Sequence, residues 1–288
     1  TSFVPKGQLE LAAKDCVMAN VVEEEIKENV DVEIVERNSE VVKTPSNFDR
    51  SVEPTQGPTP KLNIPASWTA TLSNEMEVYG IEQTELPLVN FSLVIDGGHL
   101  LDSFEKIGVA NLMTDIMMEG TATKTPQELE EAIEMLGASI RMFTGRESIT
   151  VSGNTLVRNF DKTMDLVEEI LLEPRWDEKE LERIKLSTVN SIKRSAANPN
   201  VVASNVRNKV LYGEKHMFAY PTSGTEESVE SITMDDLKTF YEKNFSPSVS
   251  KFHIVGNINK DQTLKVLSDL ETKWAAKEVV IQTYPLPE

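Results

Sequence analysis

The sequence predicts an α+β fold, in which a mainly antiparallel sheet carries its helices on one face. Strand patterns follow one another in the chain over 67–96 and again over 138–154. Helix patterns are grouped between 158 and 243, with a final strand and helix after them. With 39% hydrophobic and 26% charged residues, the 288-residue chain has the composition of a globular protein.

Local signals at the element ends support the individual predictions. Gly97-Gly98 ends an apolar strand, and Thr125 is a helix N-cap followed by Pro126 at the first helical position. The predicted order begins with a hairpin at 67–82, whose turn is Ser73-Asn74, a strand at 88–96, and helices at 108–121 and 125–137. Two strands follow at 138–144 and 147–154, joined by a turn at Gly145-Arg146. After them come helices at 158–173, 177–196, 200–212 and 233–243 with a loop at 212–229, then a strand at 249–256 and a helix at 260–272.

Residues 1–66 differ from the rest of the chain. An acidic segment over 21–37 precedes five prolines between Pro45 and Pro65, which disfavour regular structure and favour an extended path. We therefore expect 1–66 to hold the end of an upstream unit, with a strand at 1–11, and a Pro-rich acidic linker. The folded domain is expected over 67–288.

Charge and composition exclude several function classes. The net charge of −18 disfavours nucleic-acid binding, which needs clustered Lys and Arg. The acidic surface either serves only to keep the chain soluble or attracts cationic peptides. No apolar run approaches the roughly 20 residues of a membrane span. The single cysteine, Cys16, excludes an internal disulfide.

The usual phosphate and hydrolase motifs are absent from the sequence. No G-x-G-x-x-G or G-x-x-x-x-G-K-[ST] surrounds Gly97-Gly98, so a strand end is the better interpretation. No G-x-S-x-G marks a serine nucleophile. The three histidines, His99, His216 and His253, are scattered, and we expect none of them to be catalytic.

The most informative stretch is the helix within Gly108–Thr121. Its apolar residues form an inward face, and Asn111, Thr114 and Asp115 share another face at i, i+3 and i+4. Two metal ligands and a general base could occupy such positions, but none of the three residues is His or Glu.

From Ser67 to about Lys277 the sequence resembles the pitrilysin/insulinase-type zinc peptidases, which carry an inverted H-x-x-E-H motif. The central match is G-V-A-N-L-M-T-D-I-M-M-E-G-T, where members of the family have G-x-A-H-x-x-E-H-M-x-x-x-G-T. Further segments match in the family's order: L-P-L-V-N-F-S-L-V-I-D-G-G before it, then E-M-L-G-A-S-I, L-E-P-R-W-D-E-K-E-L-E-R and L-Y-G-E-K-H-M-F-A-Y-P-T-S-G-T-E-E-S-V.

The resemblance implies that the catalytic chemistry is missing from this chain. The family's two zinc-binding histidines fall on Asn111 and Asp115, and its general-base glutamate falls on Thr114. The third zinc ligand falls at or beside Ser191. We therefore predict no catalytic residue, no metal ligand and no cofactor in this chain, with zinc expected in a separate active half.

The resemblance also implies a possible peptide-binding strand and a partner. In the family, substrate adds as an extra strand along the strand that here is 138–143, which nominates Ser139, Ile140, Arg141 and Met142. An edge strand that binds nothing remains the alternative. Family proteins often pair two halves around a chamber, so the expected partners are a zinc-bearing half or subunit and unstructured peptides.

The predicted function is therefore that of a non-catalytic half that shapes the chamber of a zinc endopeptidase. The half's last domain is expected to lie outside this chain. The alternative is a scaffold or interaction module with no peptidase partner, like inactive core subunits of the family. A periplasmic or secreted location is expected only from similar bacterial two-half proteins.

Overall fold

A computed structural model describes Asp49, residues 51–53, 57–59 and 65–281, and Thr283. The chain divides into two compact units, Thr1–Lys61 and Leu62–Glu288. The strand predicted at 1–11 and most of the predicted linker lie outside the described residues. The second unit contains all of the helices and strands given below.

A six-stranded sheet in the spatial order β1-β2-β6-β3-β5-β4 forms the centre of the second unit. All neighbouring strands are antiparallel except β2 and β6, which are parallel. The predicted α+β class with a mainly antiparallel sheet is thus confirmed. The strands are β1 (Ser67–Thr71), β2 (Glu77–Glu82), β3 (Leu88–Asp96), β4 (Ser139–Thr144), β5 (Ser148–Leu156) and β6 (Ser250–Gly256).

Strand β3 shows why the sheet has one covered face. Its side chains alternate along the strand, and every second one, from Val89 to Ile95, is buried. Phe91, in that buried row, stacks on Phe252 of the neighbouring β6, with ring centroids 6.0 Å apart. The helices cover this apolar face and form the core with it.

Eight α-helices are present among the described residues. They are α1 (Val109–Met117), α2 (Pro126–Met135), α3 (Phe160–Leu172), α4 (Glu178–Ser195), α5 (Pro199–Tyr212), α6 (Glu226–Ser231), α7 (Met234–Asn244) and α8 (Lys260–Lys273). Seven of them match the predicted helices, and the predicted Thr125 cap forms a full capping box with Glu128.

Helix α6 corrects the prediction of a continuous loop over 212–229. Thr225 accepts a hydrogen bond from the Ser228 backbone, and the Ser228 side chain bonds back to Thr225, so the turn is capped at its start. Six residues are too few to show a helical period in the sequence. The Thr225–Ser228 capping pair is the sequence signal that could have indicated this helix.

Helix α1 lies at the middle of the helical layer, in contact with β4, α4 and α7. Gly108 precedes it with φ of 96°, a left-handed conformation that favours glycine. Its apolar side chains, including Val109, Leu112 and Ile116, are buried as the sequence predicts. The helix therefore presents its polar face to β4 and α4.

Over the part of the chain that the structure describes, no helix is long and apolar enough to cross a membrane.

Candidate functional site

The polar face of α1 forms hydrogen bonds within itself. The Asn111 amide Nδ2 donates to Oδ2 of Asp115 at 3.0 Å, across one helical turn. The Thr114 hydroxyl donates to the Asn111 carbonyl oxygen at 2.9 Å. The structure therefore brings together the three residues that the sequence placed on one face.

Thr144, at the end of β4, completes this network. Its hydroxyl donates to the Ala110 carbonyl oxygen at 3.0 Å and lies 3.1 Å from the hydroxyl of Thr114, which is fully buried. Sequence reasoning missed Thr144, because a threonine before a turn carries no signal of a partner 30 residues earlier. Helix α1 and strand β4 are thus joined by side-chain hydroxyls.

A cleft of about 500 Å³ opens beside Asp115, between α1, β4 and α4. Of the residues predicted to bind peptide, Ile140, Arg141 and Met142 line it, and Ser139 does not. The other lining residues are Asp115, Met118, Glu119, Phe143, Arg183, Ile184, Ser187 and Thr188.

Helix α4 forms the far wall of the cleft. Ser187 and Thr188 line it, whereas Ser191 lies one turn further along the same helix and is exposed. Arg183 of α4 pairs with Glu119, just after the end of α1, at 2.5 Å and with Glu180 at 2.6 Å. These ion pairs close one end of the cleft.

Asp115 is the carboxylate most perturbed by this environment. Burial, together with the negative charge of Glu119, raises the pKa of Asp115 from 3.8 to about 6. Below about pH 6 the carboxyl group is therefore mostly protonated, and a protonated carboxyl group is a poor metal ligand.

The donor set of this face does not fit zinc. Zinc in proteins takes three or four donors from Cys, His, Asp and Glu, and here only Asp115 qualifies. The amide of Asn111 and the hydroxyl of Thr114 are already engaged in hydrogen bonds. Among the described residues, no three His, Cys, Asp or Glu side chains converge as a metal site would require.

Strand β4 is at the edge of the sheet and pairs, among the described strands, with β5 alone. Ile140 and Met142 turn into the core, while Arg141 and Phe143 face outward. The free backbone edge of β4 could accept an added extended strand through main-chain hydrogen bonds.

His99 has a structural position beneath α1. Its Nδ1 lies 2.8 Å from Asp102 Oδ2, and its Nε2 lies 3.2 Å from the carbonyl oxygens of Met217 and Tyr220. Asp102 also accepts hydrogen bonds from two backbone N–H groups at the start of α1, and burial raises the pKa of its carboxyl group. The pair therefore anchors the start of the helix.

The other two histidines lie away from the α1 face. His253 is exposed on β6, and its ring stacks on Tyr79 with centroids 5.3 Å apart. His216 accepts a hydrogen bond from the Phe218 backbone at 3.0 Å, in the segment before the 3₁₀ helix Met217–Ala219. Neither residue lines the cleft beside Asp115.

Two family models match this chain. The family model described as "Insulinase (Peptidase family M16)" matches residues 78–225, and the model described as "Peptidase M16 inactive domain" matches residues 231–288. The two matches follow one another along the folded unit.

The curated relatives that match this chain include three at low identity. The uncharacterized zinc protease YmxG of Bacillus subtilis is 26% identical over 58% of this chain and 39% of its own length. The mitochondrial-processing peptidase subunit beta of Dictyostelium discoideum is 24% identical over 79% and 49%. The "non-peptidase homolog YmxG" of Helicobacter pylori is 24% identical over 64% and 42%. The chain thus spans about two fifths to one half of the length of these relatives.

Solved structures share the fold. A peptidase M16 inactive domain from Pseudomonas fluorescens has a TM-score of 0.72 at 23% identity, covering 77% of this chain and 54% of that one. The periplasmic protease PqqL from Escherichia coli has a TM-score of 0.68 at 19% identity, covering 77% and 25%. Because the first family model alone spans more than half of the sequence, this chain belongs to the insulinase family of peptidases, family M16.

Proposed function

We propose that this chain is a non-catalytic domain of a zinc endopeptidase of the insulinase family, which shapes the peptide chamber and supports a separate, zinc-bearing half. The observation that carries the proposal is the α1 face. The sequence resemblance assigns Asn111, Thr114 and Asp115 to the family's ligand and base positions. In the structure Asn111 is hydrogen-bonded to both of the others, and the Thr114 hydroxyl also lies within bonding distance of Thr144.

Loss of the base matters as much as loss of the ligands. Peptide hydrolysis at a zinc site needs a carboxylate that takes a proton from the attacking water. Thr114 has no titratable group, and its hydroxyl is buried. A metal held at Asp115 alone would therefore lack its general base.

The retained cleft supports a role in holding peptide. Its β4 wall keeps a free backbone edge, with Arg141 and Phe143 directed outward. An unstructured peptide could add to this edge through main-chain hydrogen bonds, with little demand on its sequence. The "non-peptidase" name of the Helicobacter pylori relative is in keeping with a domain that binds without cutting.

The first test uses the full 288-residue chain. Zinc content after dialysis against zinc buffer is measured by atomic absorption, and cleavage of a quenched fluorescent unstructured peptide is followed in parallel. We expect well under one zinc per chain and no cleavage. Stoichiometric zinc, together with hydrolysis that an Asp115→Ala substitution abolishes, would overturn the proposal.

A second test addresses the supporting role and separates it from a scaffold without peptidase function. The natural protein or complex that contains this chain is purified, and its zinc and peptidase activity are measured in the same way. We expect zinc and hydrolysis in the complete assembly, which we place in the periplasm or outside the cell. An assembly with neither property would favour the scaffold.

A further inference from the structure

Helix α5 is poorly covered by the rest of the described structure. Of its 14 residues only Asn208 is buried, and the helix packs mainly against the 3₁₀ helix Met217–Ala219. Isolated helices of about 12–15 residues are marginal in water, so a helix of this length normally relies on packing. Further packing surface is therefore available on α5.

The exposed side of α5 is apolar. Val202, Val206 and Val210 follow one another at four-residue spacing and are 43%, 55% and 82% exposed. Soluble proteins seldom leave such contiguous apolar patches uncovered unless a partner binds them. We call these three residues the valine ridge.

A groove runs beside the valine ridge, with a volume of about 1000 Å³. Three alanines among its lining residues would let another backbone approach closely. The lining residues are Ala196, Ala197, Pro199, Val202, Ala203, Val206, Arg207, Val210 and Leu211. From Pro199 to Leu211 the helix is about 18 Å long at 1.5 Å per residue, which is the length of roughly three turns of a second helix.

The charge around the groove is opposite to that of the chain as a whole. No Asp or Glu occurs between Ser187 and Gly213, in a chain with 47 acidic residues among 288. The same stretch carries four basic residues: Lys193, Arg194, Arg207 and Lys209.

The basic residues on α5 itself are not neutralised by carboxylates. Within the described structure Arg207 bonds to the uncharged Ser204 and Asn208, and Lys209 lies 5.8 Å from the centroid of the Tyr220 ring. Lys193, at the end of α4, is paired with Glu226 at 3.2 Å. Arg207 and Lys209 are therefore available to an incoming anionic group.

We propose that the α5 groove binds an acidic amphipathic helix of a partner protein. The apolar face of that helix covers the valine ridge, and carboxylates along its edges meet Arg207 and Lys209. This proposal does not depend on a peptidase role for the chain.

The same observations disfavour two other occupants. A second copy docking through the same face about a two-fold axis would bring the basic residues of the two α5 helices together, with no carboxylate between them. An anionic membrane surface is disfavoured because the valine ridge lacks the Trp and Phe residues typical of interfacial helices.

The test uses two synthetic helical peptides of about 18 residues, with identical leucines at i, i+3, i+4 and i+7. One carries Glu at its flanking positions and the other carries Lys at the same positions. Fluorescence anisotropy measures the binding of each peptide to the full chain. We expect the Glu peptide to bind at least tenfold more tightly, with affinity that falls as salt is added.

Substitutions locate the binding site. Val206→Asp is expected to weaken binding of the Glu peptide at least tenfold, while Met135→Asp, at a residue 86% exposed on α2, leaves it unchanged. Equal affinity for both peptides, no binding of either, or equal loss in the two variants would overturn the proposal. So would a dimer of the free chain, or binding to phosphatidylglycerol vesicles, that Val206→Asp abolishes.

Discussion

The hydroxyl oxygens of Thr114 and Thr144 lie 3.1 Å apart and join helix α1 to strand β4. Each hydroxyl has one proton and also lies within bonding distance of a main-chain carbonyl oxygen, Thr144 of Ala110 and Thr114 of Asn111. A hydrogen bond between the two hydroxyls therefore forms when one of them donates to the other instead of to its carbonyl oxygen. The sequence resemblance assigns the position of Thr114 to the general base of the family's zinc peptidases. Here it holds a structural hydrogen bond between the two walls of the cleft.

Thr144→Val is predicted to destabilise the chain. The substitution keeps the side-chain volume but leaves the Ala110 carbonyl oxygen and the Thr114 hydroxyl without this partner. We expect the free energy of unfolding to fall by about 1 kcal/mol, the usual contribution of a single hydrogen bond. Urea unfolding followed by far-UV circular dichroism measures the change.

A matched control and a double-mutant cycle decide whether the pair itself is responsible. Thr69→Val, on the exposed side of β1, should change the free energy of unfolding by no more than about 0.5 kcal/mol. Thr114→Val combined with Thr144→Val should cost less than the sum of the single substitutions. Strict additivity would show that the two hydroxyls do not interact.

The raised pKa of Asp115 predicts a pH-dependent stability. Because the folded chain holds this proton more tightly than the unfolded chain, the contribution of Asp115 is most favourable at low pH. The contribution of Asp115 to the free energy of unfolding should fall by about 1–3 kcal/mol as the pH rises from about 4 to about 6. Above that range the cost of the buried charge stays constant.

Asp115→Asn isolates this effect from all other titrating groups. The asparagine can still accept the hydrogen bond from Asn111 but carries no charge to bury. Unfolding in urea at pH 4, 5, 6 and 7 should show equal stability of the two proteins at pH 4 and a more stable variant at pH 7. A difference that does not depend on pH would contradict the raised pKa.

The fold could be predicted from local patterns, but the pairing of distant strands could not. The alternation along β3 and the Thr125 cap are local, and both are confirmed. The parallel pairing of β2 with β6 joins Val78 to Phe252, and periodicity says nothing about contacts over such a separation. The same limit hid Thr144, since its role depends on where β4 lies relative to α1.

His99 is predicted to be essential for stability rather than for chemistry. His99→Leu removes the partner of Asp102 and leaves a buried carboxylate with its two backbone donors alone. Leaving a buried group without its hydrogen-bond partner in this way costs about 1–3 kcal/mol. Urea unfolding of the variant should show a loss of this size.

His253→Leu is the matched histidine control. Its side chain is exposed and stacks on Tyr79, so the free energy of unfolding should change by about 0.5 kcal/mol or less. If His99→Leu proved as mild as His253→Leu, the His99–Asp102 pair would not be the anchor of α1.

The geometry of the two helices predicts how zinc binding could be restored. Glu119, two residues after the end of α1, pairs with Arg183 of α4. One turn earlier, Asp115 shares the cleft with Ser187, which lies one turn after Arg183. Counting one further turn along each helix, we expect Asn111 to face Ser191. The helix register therefore favours Ser191, the same position that the sequence resemblance assigned to the third zinc ligand.

The triple variant Asn111→His, Asp115→His, Ser191→Glu should therefore bind zinc. Two histidines at i and i+4 and a carboxylate from α4 make a three-ligand site with an open position. Isothermal titration calorimetry should show affinity at least tenfold above that of the unaltered chain, a gain of about 1.4 kcal/mol or more. Thr188→Glu in place of Ser191→Glu should bind more weakly, and equal affinity would contradict the helix register. Because Thr114 still occupies the place of the general base, the zinc-bound variant should not cleave peptide, which separates restoring the metal from restoring the reaction.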